Sequence, residues 1–186
     1  MKKAFLIIAC LFMAVGAYAQ EGSLKFGVKA GANFSGYWGD DASGSKGKFG
    51  YQGGLIAEYR ASSMFAIAPE LIFTSQGARL GVDGINGGRK CNYLNYIALP
   101  IMGKVYTGDN FSVNFGPEFG IAVFDHIAGN KVSNYNKFNF GIAVGATYYV
   151  DKNIFVDARY TMGVTNVYKE GSVKNYNVSL GLGYFF

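Results

Sequence analysis

From Leu24 to Phe34 the chain alternates without exception: Leu24, Phe26, Val28, Ala30, Ala32 and Phe34 fall on even positions, Lys25, Gly27, Lys29, Gly31 and Asn33 on odd ones. A pleated strand sends successive side chains to opposite faces, so a period of two reads as a strand with one apolar and one polar face. The segment also has a telling length, because a strand tilted about 45° crosses a bilayer in about 9 to 11 residues.

The pattern returns along the rest of the chain. Phe49, Tyr51, Leu55, Ala57 and Tyr59 oppose Gly50, Gln52, Gly54, Glu58 and Arg60, with Ile56 the one misfit. Phe65, Ile67, Leu71 and Phe73 oppose Ala66, Ala68, Glu70, Thr74 and Gln76. From Tyr93 to Tyr106 the apolar set is Ile97, Leu99, Ile101 and Val105, against Lys104. Phe111, Val113, Phe115, Phe119, Ile121 and Val123 oppose Ser112, Asn114, Gly116, Glu118, Gly120 and Ala122. Phe138, Phe140, Ile142, Val144, Ala146 and Tyr148 oppose Asn139, Gly141, Ala143, Gly145 and Thr147. Ile154, Val156, Ala158, Tyr160 and Met162 oppose Asp157, Arg159, Thr161 and Gly163. The last strand sets Tyr176, Val178, Leu180, Leu182, Tyr184 and Phe186 against Asn177, Ser179, Gly181 and Gly183.

The connections alternate in length. Ser35 to Lys48, Gly77 to Asn92, Asp125 to Lys137 and Thr165 to Asn175 are long; Ala61 to Met64, Thr107 to Asn110 and Val150 to Asn153 are short. Barrels of the bacterial outer membrane have short periplasmic turns and long external loops. The expectation is an all-β fold, an eight-stranded antiparallel transmembrane up-and-down β-barrel in that membrane with both termini periplasmic. A soluble sandwich or lipocalin-like cup also alternates, but it buries its apolar face. Here the opposite face is Gly, Ser, Asn, Thr and charge, a set that could not form a dry core. Aromatics near strand ends, namely Phe26, Tyr59, Phe65, Phe111, Tyr148 and Tyr184 at one level and Phe34, Phe49, Phe73, Tyr93 and Tyr176 at the other, suit interfacial girdles.

The first residues read as an export signal. Lys2 and Lys3 precede an uncharged run from Ala4 to Ala19 that ends in Ala17-Tyr18-Ala19, a small-residue cleavage pattern. The chain thus divides into a signal peptide, 1–19, and a barrel domain, 20–186, with no linker between domains. Cys10 leaves with the signal, so Cys91 stands alone and no intrachain disulfide forms. The formal charge falls from +5 to +3 on losing the two lysines, too little to imply nucleic acid. Twenty-seven glycines, sixteen phenylalanines and fourteen tyrosines beside three prolines suit pleated walls better than helices. Pro69, Pro100 and Pro117 nevertheless fall inside three consecutive strands, where each removes a ladder donor, and bulges are the expected accommodation.

The run Tyr93-Leu94-Asn95-Tyr96-Ile97-Ala98-Leu99-Pro100-Ile101-Met102-Gly103-Lys104, with Pro69-Glu70-Leu71 before it and Gly116-Pro117-Glu118 after it, resembles the small porin-like outer-membrane β-barrel family abundant in Bacteroidetes. The likeness extends through Asp157-Ala158-Arg159-Tyr160 to the C-terminal Phe186. It implies a fold and a location more than an activity. A terminal aromatic on the outward face also resembles the signal read by the barrel-assembly machinery, which makes Phe186 the expected assembly signal and that machinery an expected partner.

The inward charges are Lys25, Lys29, Arg60, Lys104 and Arg159 against Glu58, Glu70, Glu118 and Asp157, close to neutral. An eight-stranded barrel has room for side chains but not for a wide pore, so these groups are expected to form a lumen charge network rather than an active site. His126 is the only histidine, which excludes a multi-histidine metal site. The residue two positions on is Ala128, not the serine that a lipid A deacylase pairs with its histidine. Neither cofactor nor catalytic residue is expected. Loop charges sum to +4, and Arg79, Arg89 and Lys90 outnumber Asp83 in a glycine-rich loop, so these three are the expected contacts for lipopolysaccharide phosphates. The expected function is a monomeric, non-enzymatic barrel whose loops touch the outer leaflet or a surface partner. A narrow channel for small solutes and a lipid-modifying enzyme are the alternatives.

Overall fold

The computed structural model describes residues 23–39, 45–80, 90–127, 136–167 and 173–186. The expected signal peptide and several loop tips lie outside them. Nine strand elements follow one another: β1 (Ser23–Trp38), β2 (Ser45–Arg60), β3 (Phe65–Gln76), β4 (Ala78–Leu80), β5 (Lys90–Tyr106), β6 (Phe111–Ile127), β7 (Phe138–Tyr149), β8 (Ile154–Gly163) and β9 (Lys174–Phe185). Each pairs antiparallel with its neighbours, and β1 closes the ring on β2 and β9. β3 and β4 form one crossing interrupted at Gly77, so the wall has eight strands. Gly77 has φ 144°, a conformation open to glycine and strained for other residues. Ser35 Oγ holds the break by accepting from Gly77 N at 2.9 Å and donating to Gly77 O at 3.0 Å.

The two faces segregate as the alternation requires. Leu55, Phe115, Ile142, Leu180 and Leu182 point outward and are all more than half exposed, whereas Lys29, Glu70, Lys104 and Asp157 point inward and are buried. So continuous an apolar exterior is far larger than the patches a soluble monomer exposes, and it matches a wall solvated by lipid. The aromatic positions Phe26, Phe65, Phe111, Tyr148 and Tyr184 are exposed on this face. Tight curvature brings strands close on the inside: a β-carbon on the inward Gly31 would lie 2.2 Å from the Leu180 carbonyl oxygen.

Two expectations need correction. The ladders at the long-loop end run past the alternating segments, with β1 reaching Trp38, β2 starting at Ser45, and β5 and β6 extending from Lys90 and to Ile127. Apolar alternation marks the part of a strand that lipid covers, but backbone pairing continues in water. The prolines, moreover, do not sit in bulges. Pairing lapses where Pro69 faces Ala57, where Pro100 faces Glu70 and where Pro117 faces Ile101, then resumes in unchanged register. Each lapse is one missing N–H, and together they draw a line across β2, β3, β5 and β6. The register shift in this part of the wall lies elsewhere, between Asn95 and Tyr96 opposite Ala122 and Phe124.

Candidate functional site

The interior of so small a barrel lets side chains from opposite walls meet. Lys29 on β1 donates to Glu70 on β3 and to Asp157 on β8, each at 2.9 Å. Arg159 on β8 grips both oxygens of Glu70, at 2.9 and 2.7 Å, and stands 3.4 Å from Asp157. The far oxygen of Asp157 accepts from Thr147 on β7 at 3.1 Å and Asn114 on β6 at 3.5 Å. Asn114 also donates to Thr147 at 2.7 Å. Two cations thus face two carboxylates in a cluster that ties five strands together, and its ionic side chains are at most 5% exposed. Burial of this depth requires such pairing, since an isolated charge in the interior would be strongly destabilising.

Toward the short turns a second charged layer follows. Lys104 donates to Glu58 at 2.7 Å and to Tyr149 at 3.1 Å. The hydroxyls of Tyr106 and Tyr149 donate to the two oxygens of Glu58, at 2.5 and 3.0 Å. Around this layer Ile56, Met102, Phe155 and Phe185 form an apolar cluster inside the lumen. Toward the long loops the interior turns mostly to amides and hydroxyls, with Asn33 donating to Thr74 and Asn175 to Gln76, each at 2.9 Å, beside the buried Lys48. Tyr37, Leu94, Tyr96, Val167 and Val173 then close that end as an apolar cap. Between the amide and charged layers the described side chains leave a cavity of about 10 Å³ beside Glu118 and Arg159, room for roughly one water. The lumen is a stack of layers in which Glu58, Glu70 and Asp157 are each held by cations from other positions of the wall.

The lumen residues named from the sequence therefore divide. Lys29, Glu70, Asp157 and Arg159 meet in one cluster, and Lys104 meets Glu58 in another. Glu118 is buried at the edge of the first, accepting from Thr161 at 3.3 Å and joining no ion pair among the described residues. Lys25 and Arg60 join neither cluster through an ion pair among the described residues: Lys25 donates to the Lys152 carbonyl at 3.2 Å, and Arg60 to the Ser63 carbonyl at 3.4 Å. Sequence reasoning missed Tyr106, Tyr149, Asn114 and Thr147 as members of the network, although all four share the inward parity of their strands. It also missed the apolar lumen cluster, of which the misfit Ile56 was the visible sign.

At the long-loop end the backbone register sets Lys46 opposite Arg79, and Leu80 opposite Lys90, on adjoining strands. Arg89 lies outside the described residues, as does Ala128. His126 is opposite Tyr93 at the end of β6. Lys174 places its ammonium 5.1 Å from the Trp38 ring, whose indole N–H donates to Asn175 O at 3.2 Å. At the other end Phe186 is 75% exposed on the outer face, and its N–H donates to Phe26 O at 2.8 Å.

Solved structures of the same architecture are similar to this chain. Neisserial surface protein A aligns with a TM-score of 0.63 at 17% identity, over 88% of this chain and 99% of its own. The attachment invasion locus protein Ail of Yersinia pestis aligns with a TM-score of 0.53 at 17% identity, over 87% and 98%. Outer membrane protein OprG of Pseudomonas aeruginosa aligns with a TM-score of 0.52 at 16% identity, over 89% and 97%. At these identities the likeness is one of fold. No curated protein matches the chain in sequence. The model of the family described as outer membrane protein beta-barrel domain matches residues 18–169, and the chain belongs to that family of integral outer-membrane proteins.

Proposed function

We propose that this barrel is a non-enzymatic surface protein with both termini in the periplasm, whose long-loop end contacts lipopolysaccharide phosphates or a similar polyanion outside the cell. The observation that carries the reading is the contrast between the two parts of the molecule. The lumen is filled by paired charges and capped by apolar clusters, while strands β5 and β6, of 17 residues each, continue beyond the length that lipid requires. A membrane crossing takes about 9 to 11 residues per strand, so several on each project as a platform. On that platform Lys46, Arg79 and Lys90 occupy adjoining strands with no acid in register between them. A protein of like fold, Ail of Yersinia pestis, has been solved in complex with the heparin analogue sucrose octasulfate, a polyanion. A narrow channel is disfavoured by the layered lumen, and a lipid-modifying enzyme would need a nucleophile beside His126.

Replacing Arg79, Arg89 and Lys90 together by Gln is the test. Charge-assisted contacts contribute about 1.5 to 3 kcal/mol each, and less where water and salt screen them. The triple variant should fold in neutral detergent like the parent and bind purified lipopolysaccharide more weakly, with the difference shrinking as salt rises. Equal binding at low salt would exclude the proposal.

A further inference from the structure

The charged groups that the lumen network leaves out share one place. At the short-turn end the barrel opens into a cup of about 510 Å³ lined by Lys25, Arg60, Tyr106, Tyr149, Asp109 and Lys152, among others. That volume lies within the roughly 300 to 1,000 Å³ of ordinary small-molecule pockets. Its floor is the layer in which Tyr106 and Tyr149 bind Glu58, backed by the buried Met102, Phe155 and Phe185. A molecule entering the cup would leave by the same mouth, which makes the cup a place for binding rather than transit.

Arg60 is the group with unused chemistry there. Its guanidinium carbon lies over the Tyr106 ring, 3.8 Å from the centroid. Of its five N–H donors one makes a long hydrogen bond, to Ser63 O at 3.4 Å, and Nε is buried with no partner. The acid nearest in sequence, Glu58, is already held by Lys104, Tyr106 and Tyr149. Lys25 spends its ammonium on a carbonyl, and Lys152 joins no ion pair among the described residues. The acids facing these three cations across the mouth are Asp109 and Asp151, and Asp151 accepts from Lys152 N at 2.6 Å. Positive charge is therefore in excess.

A guanidinium seated over a ring with most of its terminal N–H donors unspent matches a planar carboxylate, which accepts two parallel hydrogen bonds. We propose that the cup binds a small dicarboxylate, one carboxylate on the Arg60 fork and the other near Lys25 and Lys152 at the rim. This is independent of what the long loops contact.

Purified protein in nonionic detergent, titrated calorimetrically with succinate, acetate and inorganic phosphate, tests it without regard to which side of the membrane the cup faces. Succinate should bind saturably, one per barrel, and more tightly than acetate. Arg60→Gln should weaken it about tenfold or more, as loss of a charge-assisted pair does. Arg60→Lys, which keeps the charge but not the fork, should also weaken it, and Lys152→Gln, in an exposed turn, should weaken it without endangering the fold. Lys137→Gln, on the far end, should change nothing. Absence of saturable succinate binding, or equal affinity in wild type and Arg60→Gln, would overturn the assignment. Tight phosphate binding that survives Arg60→Lys would overturn the carboxylate class in favour of a phosphate.

Discussion

Both carboxylate oxygens of Glu70 are engaged by cations from other strands, Arg159 and Lys29, and its side chain is 1% exposed. Removing that carboxylate leaves two buried cations with Asp157 as the remaining acid within ion-pair distance among the described residues. Glu70→Ala should therefore destabilise the barrel by roughly 3 to 5 kcal/mol, read as a lower urea midpoint for unfolding from lipid vesicles. Glu118 is a useful contrast, because it is also buried but among the described residues makes a single 3.3 Å hydrogen bond. Glu118→Gln keeps that acceptor and should shift the midpoint far less. If the two variants unfold together, the ion pairs at Glu70 contribute nothing and water must reach them. The residue types of this cluster were readable in the sequence, because charge on the inward parity of a narrow barrel has to be paired. Which acid meets which base was not, since that depends on strand stagger, and stagger brings Lys29 to Asp157, 128 positions away along the chain. Tyr106 and Tyr149 were hidden for another reason: a tyrosine near a strand end looks like a girdle residue unless its parity is counted.

The strands themselves were readable where lipid imposes alternation and unreadable where water does not. Phe65–Gln76 and Phe138–Tyr149 match the apolar pattern at both ends, because each is little longer than a crossing. β1, β2, β5 and β6 outrun it, and nothing in their polar extensions demands a period of two. The prolines misled in a different way. A bulge restores pairing by inserting a residue, whereas these strands tolerate one absent donor apiece and hold their register. Pro117→Ala should consequently supply the missing N–H to the Ile101 carbonyl. Hydrogen exchange monitored by nuclear magnetic resonance should find a new slowly exchanging amide at position 117 without a shift in the neighbouring register. Rapid exchange there would mean that the wall is bent away at this level and the carbonyl is satisfied otherwise. A restored bond of this kind is worth about 0.5 to 1.5 kcal/mol, part of which is offset by the freedom that alanine regains in the unfolded chain.

At the scale of the whole molecule, the closed ring fixes what the protein offers to its surroundings. The outer wall belongs to lipid, the interior to a stack of amide, ionic and apolar layers, and only the two ends remain for recognition. Barrels of 16 to 18 strands leave an aqueous channel, but eight strands bring opposite walls within side-chain reach. This chain uses that reach fully, from the Tyr37–Val167–Val173 cap at one end to the Phe155–Phe185 pair at the other. Ion conductance across a planar bilayer measures the outcome directly. Purified protein inserted into such a bilayer should give no steady stepwise conductance above the bare membrane, and Glu70→Ala, which removes the central ion pairs, should be the variant that first admits a current. A stable ohmic conductance in the unmodified protein would contradict the filled lumen and return the molecule to the class of channels.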